Sequence, residues 1–209
     1  MALKQHVLLL YLLTEMQIMK KIVIINGHPS EDSFNYALAD SYEQGALQSN
    51  AQVSKIDIGK LSFDPNLAHG YQKRISLEPD LTEALEKIKR AEHLAWFFPM
   101  WWYGCPAIMK GFIDRVFLPN IAFKFTGKPF PEKLFKGKTA RIIVTSDTPK
   151  WYNQWVMKNP AINQLKKGTL EFCGISPVKV SYISPIKSST KKFRQDWLNK
   201  INGLGVQMH

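Results

Sequence analysis

Cysteine is scarce in this chain: Cys105 and Cys173 are the two present, and neither belongs to a CxxC pair or a Cys/His cluster. That argues against a zinc site and a disulfide scaffold, and it fits a reducing cytosol. Long apolar runs are also lacking. The run Val7-Leu8-Leu9-Leu10-Tyr11-Leu12-Leu13 is too short to span a bilayer, and no small-x-small cleavage site follows it. Neither GxGxxG nor GxxxxGK[ST] occurs, so the two common nucleotide fingerprints are absent. Acidic residues are few. The chain has 17 Asp and Glu against 28 Lys and Arg, a net charge of +11. The basic residues are scattered, and Lys191, Lys192 and Arg194 are too small a group to make a basic tail. The excess therefore reads as solvated surface that favours anionic small ligands, with no nucleic-acid partner and no stable membrane insertion.

The 209 residues, 45% of them hydrophobic, suffice for one domain with a sizeable core. Residues 1–18 read as an N-terminal extension, and the domain proper as residues 19–209. Strand signals fall at 21–26, 52–57, 94–98, 141–145 and 178–183. Helical spacing falls at 35–48, 80–92, 108–117, 161–172 and 191–201. Asp32 or Ser33 can cap the first helix, and Asp80 the second. Residues 118–131 read as loop. The first, third and fourth strands are continuously apolar, whereas the second and fifth are more polar. This predicts an α/β doubly wound five-stranded parallel sheet of order 2-1-3-4-5, with helices on both faces and polar strands at the edges.

One stretch organises the rest: Phe97-Phe98-Pro99-Met100-Trp101-Trp102-Tyr103-Gly104-Cys105-Pro106. It reads as a buried strand, an aromatic turn shaped by Pro99, Gly104 and Pro106, and a helix with Pro106 in its first turn. Taken alone, Trp101, Trp102 and Tyr103 suit either core or dimer-interface packing, or a platform for a flat ligand. A second turn shifts the balance. In the order 2-1-3-4-5, the ends of strands 1, 3 and 4 lie side by side at the switch point. Turn 27–35 there opens a helix with Ser30, Ser33, Asn35 and free amides, which suits a phosphate or pyrophosphate. Turn 145–149 supplies hydroxyls. A phosphate pocket beside an aromatic platform implies a flat, phosphorylated cofactor, best met by a flavin. His28, at the helix entry, reads as a donor to phosphate rather than a structural histidine. Asp147 could be a catalytic carboxylate, but with no partner base it reads as a turn former.

The run His28-Pro29 with Ser33-Phe34-Asn35-Tyr36-Ala37, and the run from Phe98 through Gly104-Cys105-Pro106-Ala107-Ile108-Met109-Lys110-Gly111-Phe112 to Phe117, resemble the NAD(P)H:quinone oxidoreductase (DT-diaphorase) family. Phe172-Cys173-Gly174 matches its late helix end. The resemblance spans about residues 20–203 and implies a flavodoxin-like homodimer with a tightly bound flavin, which joins the cytoplasmic location expected from cysteine usage. Pyrophosphate would fall to His28, Ser33, Phe34, Asn35 and Ala37. The isoalloxazine would fall to Pro99, Met100, Trp101, Trp102 and Tyr103, with amides at Thr145, Ser146 and Asp147. The Ser-Phe-Asn form is more similar to the FAD branch than to the FMN branch. The implied activity is two-electron, ping-pong hydride transfer from NAD(P)H to a quinone or similar planar acceptor. A flavin-binding regulatory subunit, for instance of an ion-efflux system, is the alternative.

Departures from the family are equally plain. Its Thr-Thr-Gly-Gly is here Thr145-Ser146-Asp147-Thr148. Its relay histidine has no match among His6, His28, His69, His93 and His209. Tyr152 stands for a later tyrosine and is the candidate proton donor, with Tyr103 beside it. Phe123 and Phe125 replace two tyrosines of the substrate-side loop and would wall the acceptor with Tyr103.

Overall fold

The structure is a computed structural model and describes residues 19–208. The extension 1–18 read above lies outside the described residues. Strand β1 (Lys21–Asn26) is β-branched and buried after its first residue. Helix α1 (Phe34–Gln48) follows, capped by Ser33, whose hydroxyl accepts from the Tyr36 N–H at 3.4 Å. Edge strand β2 (Gln52–Asp57) is only partly buried. Helix α2 (Pro79–Arg90), strand β3 (His93–Pro99) and helix α3 (Ala107–Val116) come next. Two short strands, β4 (Phe123–Lys124) and β5 (Glu132–Lys133), pair antiparallel across the segment expected to be loop. Strand β6 (Thr139–Thr145), helix α4 (Pro160–Leu165), strand β7 (Val178–Ile183) and helix α5 (Lys191–Val206) complete the chain.

The main sheet is parallel with order β2-β1-β3-β6-β7, the expected 2-1-3-4-5. All seven residues of β3 are buried, as a central strand covered on both faces requires. On one face Val23, Ile25, Trp96, Phe98, Ile142 and Val144 pack with α2 and α3. On the other, Ile22, Ile24, Ala95, Phe97 and Ile143 pack with α1 and α5. No helix among the described residues is long and apolar enough to cross a membrane.

Local expectations needed four corrections. Asp80 does not cap α2. Glu78 holds the cap position without a side-chain cap bond, and Asp80 instead accepts from the Ser62 N–H at 2.7 Å, tying down the preceding loop. Pro106 is the cap residue of α3 rather than part of its first turn. The expected helix 161–172 begins as α4 and widens into a π-helical stretch, Lys166–Glu171. Finally, α5 runs on to Val206, beyond the expected stop at 201. The loop before α2 is also held by buried Arg115 of α3. Its guanidinium donates to Glu78 Oε2 at 2.8 Å, to the Ser76 carbonyl at 3.2 Å and to the Asp64 carbonyl.

Candidate functional site

The three turns meet through specific bonds. Asn35, in the first turn of α1, is 3% exposed and donates from Nδ2 to Thr145 Oγ1 at 2.9 Å. The Met100 N–H donates to the Thr145 carbonyl at 2.8 Å. His28 sets its ring edge-on to Trp101, with centroids 5.6 Å apart. Register explains the meeting: Pro99 pairs with Thr145, so β3 and β6 end level, while β1 stops at Asn26 opposite Phe97 and its turn fills the space beside their ends.

In the first turn, Asn26 Oδ1 accepts from the His28 N–H at 3.0 Å, and His28 Nδ1 accepts from the Ser30 N–H at 3.0 Å. A backbone N–H can only donate, so Nδ1 is unprotonated and the ring proton sits on Nε2. Burial pushes the His28 pKa below its ordinary value. A neutral ring with an Nε2–H donor is therefore what this turn presents. The sign of the pH effect follows. The unfolded chain takes up the proton first, so stability is lost as pH falls through about 6.5, the ordinary histidine value. Thermal melts across that range should show the loss, and His28→Gln should remove that part of it. An unchanged slope in the variant would refute the assignment.

The aromatic turn is tighter than its glycine suggested. Trp101 and Gly104 exchange backbone hydrogen bonds of 3.0 and 2.8 Å. The left-handed residues are Trp102 (φ 49) and Tyr103 (φ 57), not Gly104. Two successive left-handed residues normally call for Asn-Gly, and each non-glycine there costs about 1–2 kcal/mol. Trp102 is also 99% exposed and Trp101 46%, so neither ring is core. Tyr103 is half-buried against the α3 face. Strain and exposure at one residue yield a test. Trp102→Gly should raise the melting temperature of the ligand-free protein by about 2–4 °C, since about 1 kcal/mol of strain is relieved. A lower melting temperature would show that the turn is not strained.

The third turn is built by its side chains. Ser146 Oγ accepts from the Thr148 N–H at 3.0 Å. Asp147 Oδ1 accepts from the Ile186 and Lys187 amides at 3.0 and 2.6 Å. Its carboxylate thus clamps the loop after β7, as a turn former would. Sequence reading missed Tyr182 of β7. Its hydroxyl donates to the Thr148 carbonyl at 2.8 Å, and burial raises its pKa, with Tyr103 and Asp147 close enough to contribute. Alternation in 178–183 signalled which way Tyr182 faces but not that turn 145–149 folds onto it.

The remaining expected residues stand on other elements. Tyr152 opens a π-helical turn, Tyr152–Val156, and meets Trp151 edge-on at 5.6 Å. Phe123 packs against Phe125 (5.4 Å) and Phe172 (5.0 Å) in a cavity of about 470 Å³. That cavity runs along α3 and includes none of Trp101, Trp102 or Tyr103. A larger cavity, about 820 Å³, lies between β2 and α2 and touches none of the three turns. Its size does not make it the site, because the convergent polar groups are elsewhere.

A flavin fits the residues at the turns. Asn26 Nδ2 and Asn35 Oδ1 are buried without a hydrogen-bond partner, which a bound polar group would supply. Of the amides that open α1, those of Tyr36 and Ala37 donate to Ser33, and those of Phe34 and Asn35 precede the first intrahelical acceptor. The exposed tryptophans offer ring faces.

A family model described as the flavodoxin-like fold matches residues 20–202. The human ribosyldihydronicotinamide dehydrogenase [quinone] is 26% identical over 199 residues, covering 83% of this chain and 86% of that protein. The solved structure of Smu.1420 from Streptococcus mutans is 32% identical with a TM-score of 0.78, covering 89% of this chain and 98% of that one. The NAD(P)H:quinone oxidoreductase from Methanothermobacter marburgensis shares the fold at 20% identity and a TM-score of 0.78, covering 91% of this chain and 100% of that one. With its sheet order, its two long motifs and these relatives, the chain belongs to the flavodoxin-like family that holds the NAD(P)H:quinone oxidoreductases.

Proposed function

We propose that this protein is a flavin-dependent oxidoreductase that carries two electrons from NAD(P)H to a quinone or similar planar acceptor in alternating half-reactions. The observation that carries this reading is the junction of three strand-end turns at Asn35, Thr145 and Met100, with strained, fully exposed Trp102 at its rim. FAD is the proposed cofactor, on the Ser33-Phe34-Asn35 turn, with FMN the alternative. When bound, the flavin supplies the hydride chemistry.

The protein's own groups hold and orient. His28 Nε2–H and the Phe34 and Asn35 amides that open α1 would bind phosphate oxygens, where the helix dipole favours negative charge; the Ala37 amide, engaged by the Ser33 carbonyl, would line the turn without donating. Trp101 and Trp102 would cover one ring face, and the strain in their turn aims its amides in advance. Amides of Thr145, Ser146 and Asp147 would stabilise negative charge at the ring edge, held by the Ser146 and Asp147 clamps. Tyr152 or Tyr103 would hold the proton that the reduced acceptor requires. Phe123 and Phe125 would wall the acceptor from the α3 side. We place the working form as a cytoplasmic homodimer.

The decisive experiment is the absorption spectrum of the purified protein, with mass determination of the released cofactor and an assay of NAD(P)H consumption with menadione. A yellow protein that consumes NAD(P)H supports the reading. Bound flavin without turnover favours a regulatory flavin protein. A colourless protein that takes up neither FAD nor FMN overturns both.

A further inference from the structure

Four of the six tryptophans are exposed, and two of them, Trp151 (62%) and Trp155 (67%), lie outside the turns described above. They sit four residues apart on the segment that leaves turn 145–149. This segment is rigidly built. Its π-helical turn closes with the Met157 N–H on the Tyr152 carbonyl at 3.0 Å. Beneath it, Asn153 is 1% exposed; its N–H donates to the Pro149 carbonyl and its Nδ2 to Asn159 Oδ1, both at 3.0 Å. Lys158 and Asn159 then both take left-handed conformations (φ 61 and 53), and the Asn159 N–H returns to the Asn153 carbonyl at 2.9 Å. Inserted π turns and consecutive left-handed non-glycine residues are unfavourable locally and concentrate at functional sites. Here they fix two large rings in water.

Along this segment the charge has one sign as far as Glu171, which pairs with Lys166 at 3.8 Å. From 148 to 170 the sequence holds Lys150, Lys158, Lys166 and Lys167 and not one Asp or Glu. Lys150 and Lys158 flank the two rings and are exposed. The carboxylate just upstream, Asp147, is engaged by the Ile186 and Lys187 amides. Exposed aromatic faces bordered by cations suit a flat, apolar, negatively charged molecule.

We propose that Trp151 and Trp155 form a second aromatic platform, beside the three-turn site, that binds an anionic polycyclic aromatic compound of the sulfonated or carboxylated quinone class. Its role in selecting the electron acceptor rests on the flavin reading; the binding itself does not.

The test is equilibrium binding of anthraquinone-2-sulfonate to the protein as purified, alongside its KM in turnover. Trp151→Ala and Trp155→Ala should each raise the dissociation constant and KM about tenfold with little change in kcat, while Trp→Phe at either position should stay within about threefold. Neutral anthraquinone should bind more weakly, and high salt should erase the difference. Unchanged binding in the double alanine variant overturns the platform. Equal binding of the two compounds at low salt overturns the anionic class. If the alanine variants turn a dimer into a monomer, the surface belongs to a second copy of the chain and the proposal falls. A protein that loads no flavin would defeat the proposed function, yet the binding measurement would still decide the platform.

Discussion

Gly205→Ala is expected to lower the thermal midpoint by about 6–12 °C, the largest stability effect we foresee from adding one methyl group. Helices α1 and α5 touch backbone to backbone. A Cβ on Gly205 would lie 2.1 Å from the Tyr42 carbonyl oxygen, and one on Gly45 would lie 2.0 Å from that of Asn202. Both obstacles are main chain, so no rotamer change relieves them. The helices must separate, and the bonds across the seam, such as Ser41 Oγ to the Leu198 carbonyl at 2.7 Å, stretch with them. Overpacking of this kind costs about 3 kcal/mol. Gly203 is the control. It lies in the same helix, and a methyl group added there would meet nothing within 4 Å, so Gly203→Ala should stabilise by about 0.5–1 kcal/mol through helix propensity. Calorimetry on the two variants checks both signs. Equal shifts would mean that the close crossing does not exist.

Asn35→Ala is expected to weaken flavin affinity about a hundredfold while the protein stays folded. Asn35 is the direct side-chain link between the first and third turns, and Thr145 Oγ1 loses its donor when the amide goes. The free Oδ1 is lost as well. One broken buried bond and one lost ligand contact together amount to about 2–3 kcal/mol, and each 1.4 kcal/mol is about tenfold. The fold should lose only about 1 kcal/mol of this, because Asn35 lies at the rim and not in either apolar layer. Titration with FAD and FMN, followed by absorbance, reads the affinity. A variant that binds flavin as tightly as the parent would remove Asn35 from the site. Gly205→Ala offers the complement: it should lower stability without touching the turns.

Much of the candidate site is legible in the chain because its parts are local. The motifs from His28 to Ala37 and from Pro99 to Pro106 each occupy one turn. Trp102 and Tyr103 show where that visibility ends. Glycine and proline pointed to a bend, but the left-handed backbone fell to two aromatic residues, because the Trp101–Gly104 hydrogen-bond pair closes the turn around them. Asp147 shows the same limit: its reading as a turn former was available, while its partners at Ile186 and Lys187 lie some forty residues on. Asp80 was misread as a cap because the cap position falls two residues earlier, at Glu78, and the Ser62 amide binds the Asp80 carboxylate.

The amino-acid sequence by itself determined the five strands, their two-sided or one-sided burial and hence the sheet order, because apolar periodicity is a property of neighbours along the chain. Only the tertiary structure decided which atoms meet: Asn35 with Thr145, Tyr182 with Thr148, and the glycines of α1 and α5 against each other's carbonyls. Those contacts join residues 34 to more than 150 positions apart. Pairings of that range depend on how whole elements stack, and no local pattern encodes them.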